Sequence, residues 1–188
     1  MKHGTLLDYL RQNRQSLTPQ NQISAAEQVA EAMAYLEQKE FIHQSLAARN
    51  VMMTDKQVCK VADYGAVRLI GEGKEGSEEF SPRWTAPEAI TEGAFSIKSD
   101  VWSYGTLLYE ITTFGKFPYH GLTNKQVMDM IRQGSRIACP KGCQQKLYDI
   151  MLSCWALMPD HRPTFEQLKH LMSTYFSPEE DEYVDIYR

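Results

Sequence analysis

The chain is expected to fold as a mainly α-helical domain, with short β-strands confined to one stretch. Three observations carry this. After Thr18-Pro19, the residues Ile23, Ala26, Ala30, Met33, Ala34 and Leu36 recur at helical spacing to about residue 39. Residues 100–111 are apolar on nearly all sides, as in a helix buried at the centre of a domain. Val51-Met52-Met53 and Val58-Cys59-Lys60-Val61 read as two strands around the turn Thr54-Asp55-Lys56.

Each element has its own signal. Thr18 is a good N-cap, and Pro19 fits the first helical position, where its missing N–H costs nothing. Three further helical stretches follow near 124–133, 144–156 and 164–175. Residues 66–82 mix glycine, glutamate, serine and proline without periodicity and read as a mobile loop. Ser177-Pro178 ends the ordered part, and the segment after it is expected to be disordered. The boundaries expected are therefore a domain over 1–176 and an acidic tail over 177–188, which carries Tyr183 and Tyr187.

Composition narrows the function classes. With 188 residues, 43% hydrophobic and 23% charged, the chain can bury a full core. No secretory signal is expected from the polar start MKHGTLLDYLRQ, and no stretch approaches the roughly 18 apolar residues of a membrane span. The tail carries five of the 24 acidic residues and one of the 20 basic ones, which leaves the body balanced at 19 of each. Such a body makes nucleic acid a poor partner. Cys59, Cys139, Cys143 and Cys154 lack the second pair or nearby histidines that a zinc site needs, so reduced thiols and a cytoplasmic setting are expected.

The chemistry-bearing residues lie between 43 and 88. They run His43-Gln44-Ser45-Leu46-Ala47-Ala48-Arg49-Asn50, then Asp63-Tyr64-Gly65 thirteen residues after Asn50, then Ala86-Pro87-Glu88. Order and spacing resemble the protein-kinase signature H-R-D-L-x-x-x-N, D-F-G and A-P-E. Lys60-Val61-Ala62-Asp63, Trp84-Thr85-Ala86-Pro87-Glu88-Ala89, Lys98-Ser99-Asp100-Val101-Trp102-Ser103, and Cys154-Trp155 through Arg162-Pro163-Thr164-Phe165 extend the match. Residues 1–176 thus resemble the C-terminal lobe of a cytoplasmic tyrosine kinase, closest to the Src family and its Frk/Brk-like branch. Gly71-Glu72-Gly73-Lys74-Glu75-Gly76 is a literal G-x-G-x-x-G, but the next residues carry two acids and a proline rather than a helix start. It reads as flexible loop.

The resemblance implies roles and losses. Its reaction is transfer of the ATP γ-phosphate to protein tyrosine, with Mg²⁺. Asp63 and Asn50 match the metal ligands, Arg49 an arginine near the transferred phosphate, and Met52 the residue under the adenine ring, which without adenine is simply core. Ser45 stands where the family has its aspartate base, and a hydroxyl is no base near neutral pH. Gln44 stands for the arginine that grips a phosphorylated activation loop, and residues 63–88 hold no tyrosine except Tyr64. The glycine-rich loop, strand lysine and helix-C glutamate have no match in the chain, so the N-lobe is read as absent.

Glu88 and Arg162 match a structural ion pair, Asp100 a residue that holds the catalytic-loop backbone, and His43 with Tyr64 part of a hydrophobic spine. Three functions follow: an inactive pseudokinase or scaffold, a fragment of a longer active kinase that binds ATP–Mg, or an adaptor phosphorylated at Tyr183 or Tyr187. Expected partners are SH2-type modules at the tail, a protein covering the N-lobe-facing surface around Met52 and Tyr64, or a second copy of the chain.

Overall fold

The computed structural model describes residues 4–62 and 81–177, together with the backbone of Arg68–Leu69. In chain order the helices are α1 Leu6–Gln12, α2 Pro19–Gln38, α3 Pro87–Thr91, α4 Ile97–Thr112, α5 Asn124–Arg132, α6 Gln145–Cys154 and α7 Phe165–Ser173. The strands are β1 Phe41–Ile42, β2 Val51–Met53, β3 Cys59–Val61 and β4 Arg68–Leu69. The expected tail tyrosines, the Gly71–Gly76 run and the Asp63-Tyr64 pair lie outside the described residues.

Local sequence starts five of the seven helices in the same way. Thr5, Thr18, Ser96, Thr123 and Thr164 each accept the N–H of the residue three positions on, and that residue's side chain reaches back to the cap. The reciprocal bonds satisfy donors that a helix start leaves orphaned, at about 1 kcal/mol per cap. At α1 the Asp8 carboxylate accepts both the Thr5 hydroxyl and backbone N–H, and these bonds hold its pKa below the usual range.

Helix α4 is the axis of the core, with twelve of its sixteen residues buried. It packs between α2 and α6, and α7 closes over α2. The Tyr104 hydroxyl donates to Ala26 O at 2.9 Å, and its ring meets Phe165 edge-on at 5.8 Å. Burying Leu107 and Leu108 in full contributes about 1.5–3 kcal/mol each. Gly105 lets α4 approach α6: a Cβ there would sit 2.8 Å from both Cys154 Cβ and Trp155 Nε1.

The strands form two small antiparallel pairs. β2 and β3 pair with Val51 opposite Val61 and Met53 opposite Cys59. On its other side β2 is held by the Thr5–Met52 bridge and by the Met53 N–H donating to Gly4 O at 3.0 Å. β1 pairs with β4, Phe41 opposite Leu69. This corrects the reading of 66–82 as one mobile loop: Arg68–Leu69 is strand, and residues 82–84 form a turn closed by Trp84 and Thr85 N–H bonds to Ser81 O. A two-residue strand has no periodicity to read, and its partner lies 26 or more positions away. Met52 is half-buried at the sheet rather than part of the hydrophobic core, which corrects its reading as core. In a strand its neighbours Val51 and Met53 take the buried face.

All four cysteines are free thiols. Burial pushes Cys59 and Cys154 up to about 12 and half-buried Cys143 up to about 11, while Cys139 is exposed. Among the described residues no helix is long and apolar enough to cross a membrane, and no three His, Cys, Asp or Glu gather as a metal cluster.

Candidate functional site

The loop from His43 to Asn50 is shaped from below by α4. Asp100, 1% exposed, accepts the backbone N–H groups of His43 at 2.7 Å and Gln44 at 2.8 Å, one on each carboxylate oxygen. This grip holds Gln44 at φ +67°, the left-handed region, where a non-glycine residue is disfavoured by about 1–2 kcal/mol. Burial pushes the Asp100 pKa up to about 7, and the two N–H donors act against that rise. One helical stretch further, Glu110 accepts the Ala48 N–H at 2.9 Å and is pushed up to about 6 by burial. Two buried carboxylates on α4 thus hold both ends of the loop backbone.

The His43 ring is committed to the scaffold. Its Nε2 lies 2.8 Å from Ala62 O, so that nitrogen donates, and Nδ1 then accepts the Ser45 backbone N–H at 3.2 Å. The imidazole therefore turns its lone pair to Ser45 N rather than to Ser45 Oγ. A proton-abstracting histidine would need that lone pair on the hydroxyl.

Ser45 and Asn50 meet directly. Asn50 Nδ2 donates to Ser45 O at 2.6 Å and to Ser45 Oγ at 2.8 Å. The amide NH₂ is used by Ser45, which leaves Oδ1 as the Asn50 atom able to meet a cation. A neutral amide oxygen suits hard Mg²⁺. The Asn50 carbonyl accepts the Ala62 N–H at 2.8 Å, tying this residue to the strand end that precedes Asp63. The donor set fits Mg²⁺ at Asn50; Asp63 lies outside the described residues.

The rim of the site is built from residues 81–88. Arg49 is exposed, and its guanidinium lies 4.5 Å from the Trp84 ring centre, a cation–π stack. Trp84 Nε1 is buried without a full hydrogen bond, and its weak donation to the Glu110 carboxyl opposes the rise that burial causes. Arg83 is buried and donates to Pro118 O and Tyr119 O at 2.8 Å and to Leu122 O. Further out, Arg162 and Glu88 form a paired fork at 2.6 and 2.9 Å. Arg162 also donates to Ala156, Lys98 and Leu157 carbonyls, and its plane lies 5.0 Å from the Trp102 ring centre.

The structure therefore brings Ser45, Asn50, Arg49, His43 and Asp100 into one loop–helix unit. It places Glu88 and Arg162 on its supporting side, and Met52 on the adjoining strand. Two residues at the site were missed in the sequence. Arg83 is framed by Pro82 and Trp84, and a lone arginine there gives no sign of its buried carbonyl cage. Glu110 had a legible signal: an acid within the otherwise apolar 100–111 helix needs a buried partner.

With this geometry in place, the comparisons decide the family. Residues 1–172 match the family described as protein tyrosine and serine/threonine kinase. This chain belongs to that kinase family. Tyrosine-protein kinase SRK3 of Spongilla lacustris is 47% identical over 181 residues, which cover 94% of this chain and 54% of the relative. Tyrosine-protein kinase FRK of Homo sapiens is 46% identical over 183 residues, 94% of this chain and 36% of the relative. The kinase-family chain thus spans about half or less of the length of these relatives.

Proposed function

We propose that this kinase-family chain supplies the helical C-lobe of a tyrosine-kinase fold and acts as a pseudokinase scaffold, without efficient phosphotransfer. The observation that carries this reading is Ser45 Oγ, held by the Asn50 amide at the position where the family places its carboxylate base. Loss of a general base costs about 10²–10⁴-fold in rate. Mg²⁺, when bound with ATP, would neutralise charge on the phosphates; Asn50 Oδ1 and the Asp63 carboxylate are the groups of this chain that would hold it. Arg49, stacked on Trp84, would offer its guanidinium edge to an anionic substrate group. His43 and Asp100 would fix the loop and move no proton.

The test is a phosphotransfer assay of the purified chain on a tyrosine-containing polymer, beside Asp63→Ala. Equal, background-level signals support the scaffold reading. A clear signal lost on Asp63→Ala overturns it.

A second reading keeps nucleotide binding, and the orientation of Asn50 favours it. In a longer chain that carries a glycine-rich loop and strand lysine, Ser45→Asp would then restore transfer. Thermal unfolding with and without millimolar ATP–Mg²⁺ tests the binding itself, because a ligand of the native state raises its stability. The acidic setting of Tyr183 and Tyr187 adds a partner proposal: phosphorylation by another tyrosine kinase and capture by an SH2-type module. Mass spectrometry after incubation with such a kinase, finding no tail phosphate, would end that part.

A further inference from the structure

A pocket of about 320 Å³ opens where α4 ends, between the loop after α1 and the loop before α6. Arg14, Lys116 and Lys141 line it, and no carboxylate does. All three are exposed, and none forms an ion pair among the described residues. Its apolar lining includes Phe114, whose ring centre lies 5.8 Å from the Arg14 guanidinium carbon. Arg11 adds a fourth cation beside it, donating to Gly115 O at 3.1 and 3.2 Å next to Lys116. Phe114 and Gly115 both have positive φ, which turns the chain sharply after α4 and sets Lys116 there. A concave site with three cations and no acid selects an anion.

The chain's own acidic segment starts beside this pocket. Phe176, one residue before the last described one, lines a small cavity together with Thr112 and Gly142. Thr112 lines the basic pocket as well, and Gly142 directly follows Lys141 of that pocket in the chain, so the two cavities adjoin. Beyond Ser177 come 11 residues with Glu179, Glu180, Asp181, Glu182 and Asp185 against Arg188. Fully extended they reach about 36–40 Å. The body is charge-balanced, so a basic pocket next to this exit is a local asymmetry and not a property of the whole surface.

We propose that the acidic tail 178–188 docks within its own molecule onto the pocket of Arg14, Lys116 and Lys141. The contact is carboxylate to ammonium and guanidinium, sharpened because the two partners are tethered. Tethering gives the tail an effective concentration in the millimolar range, so individually weak ion pairs suffice. The proposal does not depend on phosphotransfer.

Carbodiimide coupling of the 188-residue chain, followed by peptide mapping, tests it. The reagent joins a lysine amine to a carboxyl only where they touch, forming an amide and taking up the water lost as a urea. Lys146 lies 5.5 Å from the Tyr175 ring centre and will couple through mere nearness, so it serves as the proximity control. Lys39, at the opposite end of the 20-residue α2 from Pro19 and Gln22, which line the small cavity with Phe176, serves as the distant control.

The expected result, at about 0.05 M salt, is tail links to Lys116 and Lys141 in the monomer fraction, several-fold above those to Lys39. Arg14→Glu removes a cation but no reactive amine, and should cut these links several-fold at unchanged Tm. Raising salt to about 1 M, where the Debye length is about 3 Å, should do the same on the unaltered chain. Links spread evenly over surface lysines, or indifferent to both Arg14→Glu and salt, overturn the proposal. Links found only in a dimer fraction also overturn it, because the tail would then bind a second copy. The salt series needs no variant, so the proposal stays open to refutation if Arg14→Glu misfolds.

Discussion

Arg162 and Asn50 use their donors in opposite ways. Every nitrogen of Arg162 is bound in a cage of the Glu88 carboxylate and three carbonyls, stacked against Trp102 and closed to solvent. Asn50 is half-buried, and its amide holds a serine. The first region is all support: buried, paired and redundant. The second carries a left-handed Gln44, a histidine ring fixed by backbone atoms, and the Ser45 hydroxyl bonded to Asn50. The groups around Asp100 and Arg162 are thus buried and multiply bonded, while Ser45 and Asn50 are half-buried and bond each other. The two regions are separable because α4 holds the loop by its backbone N–H groups, whereas Ser45 and Asn50 meet through the Asn50 side chain.

Substitutions at the two regions should separate in size. Arg162→Ala should cost the most, about 3–5 kcal/mol in urea unfolding, since it strands the Glu88 carboxylate and three carbonyls. A cost under about 1 kcal/mol would mean that water fills the cage. Gly105→Ala should cost about 1–3 kcal/mol, because the methyl meets Cys154 and Trp155 at 2.8 Å on either side.

Asp100→Asn sits at the junction of the two regions and should cost about 2 kcal/mol near pH 5, as one N–H acceptor becomes a donor. Its pH dependence has a definite sign. The folded pKa of Asp100, about 7, lies above the ordinary 3.8, so between these values the native state holds a proton that the unfolded chain has released. The stability this group contributes is full below about pH 4 and falls as pH climbs to about 7. The gap between the parent and Asp100→Asn should therefore narrow from pH 5 to pH 8. A gap that widens would show that the two N–H donors outweigh burial.

The smallest change expected is at Gln44. Gln44→Gly relieves the left-handed backbone and should raise stability by a few tenths to about 1 kcal/mol, reduced by the extra freedom of glycine when unfolded. A loss instead would mean that the Gln44 side chain holds the loop more than its backbone strains it.

The supporting region was the more legible one in sequence. Thr18-Pro19 marked the start of α2 because a cap and a fixed φ act locally, and α4 showed itself by apolar residues on all faces. The β2–β3 hairpin was readable from its turn. Helix α1 was missed although Thr5 and Asp8 form its capping box, since seven residues give too little periodicity. β1 and β4 escaped because their pairing is long-range and two residues deep. At the site, the motif brought Ser45, Asn50 and Asp100 to notice together. Which Asn50 atom faces Ser45, and which tautomer His43 adopts, depend on Ala62 and on backbone geometry that no spacing encodes.

The uneven burial of the thiols has a practical use. Cys59 and Cys154, at about 12, keep only about one ten-thousandth of their sulfur as thiolate near pH 8, and thiolate is the form that attacks an electrophile. Half-buried Cys143 is suppressed as well. Exposed Cys139, on the wall of the basic pocket, is left as the preferred target of a maleimide dye. The native chain thus carries an addressable optical handle at the rim where an incoming anion would first be felt.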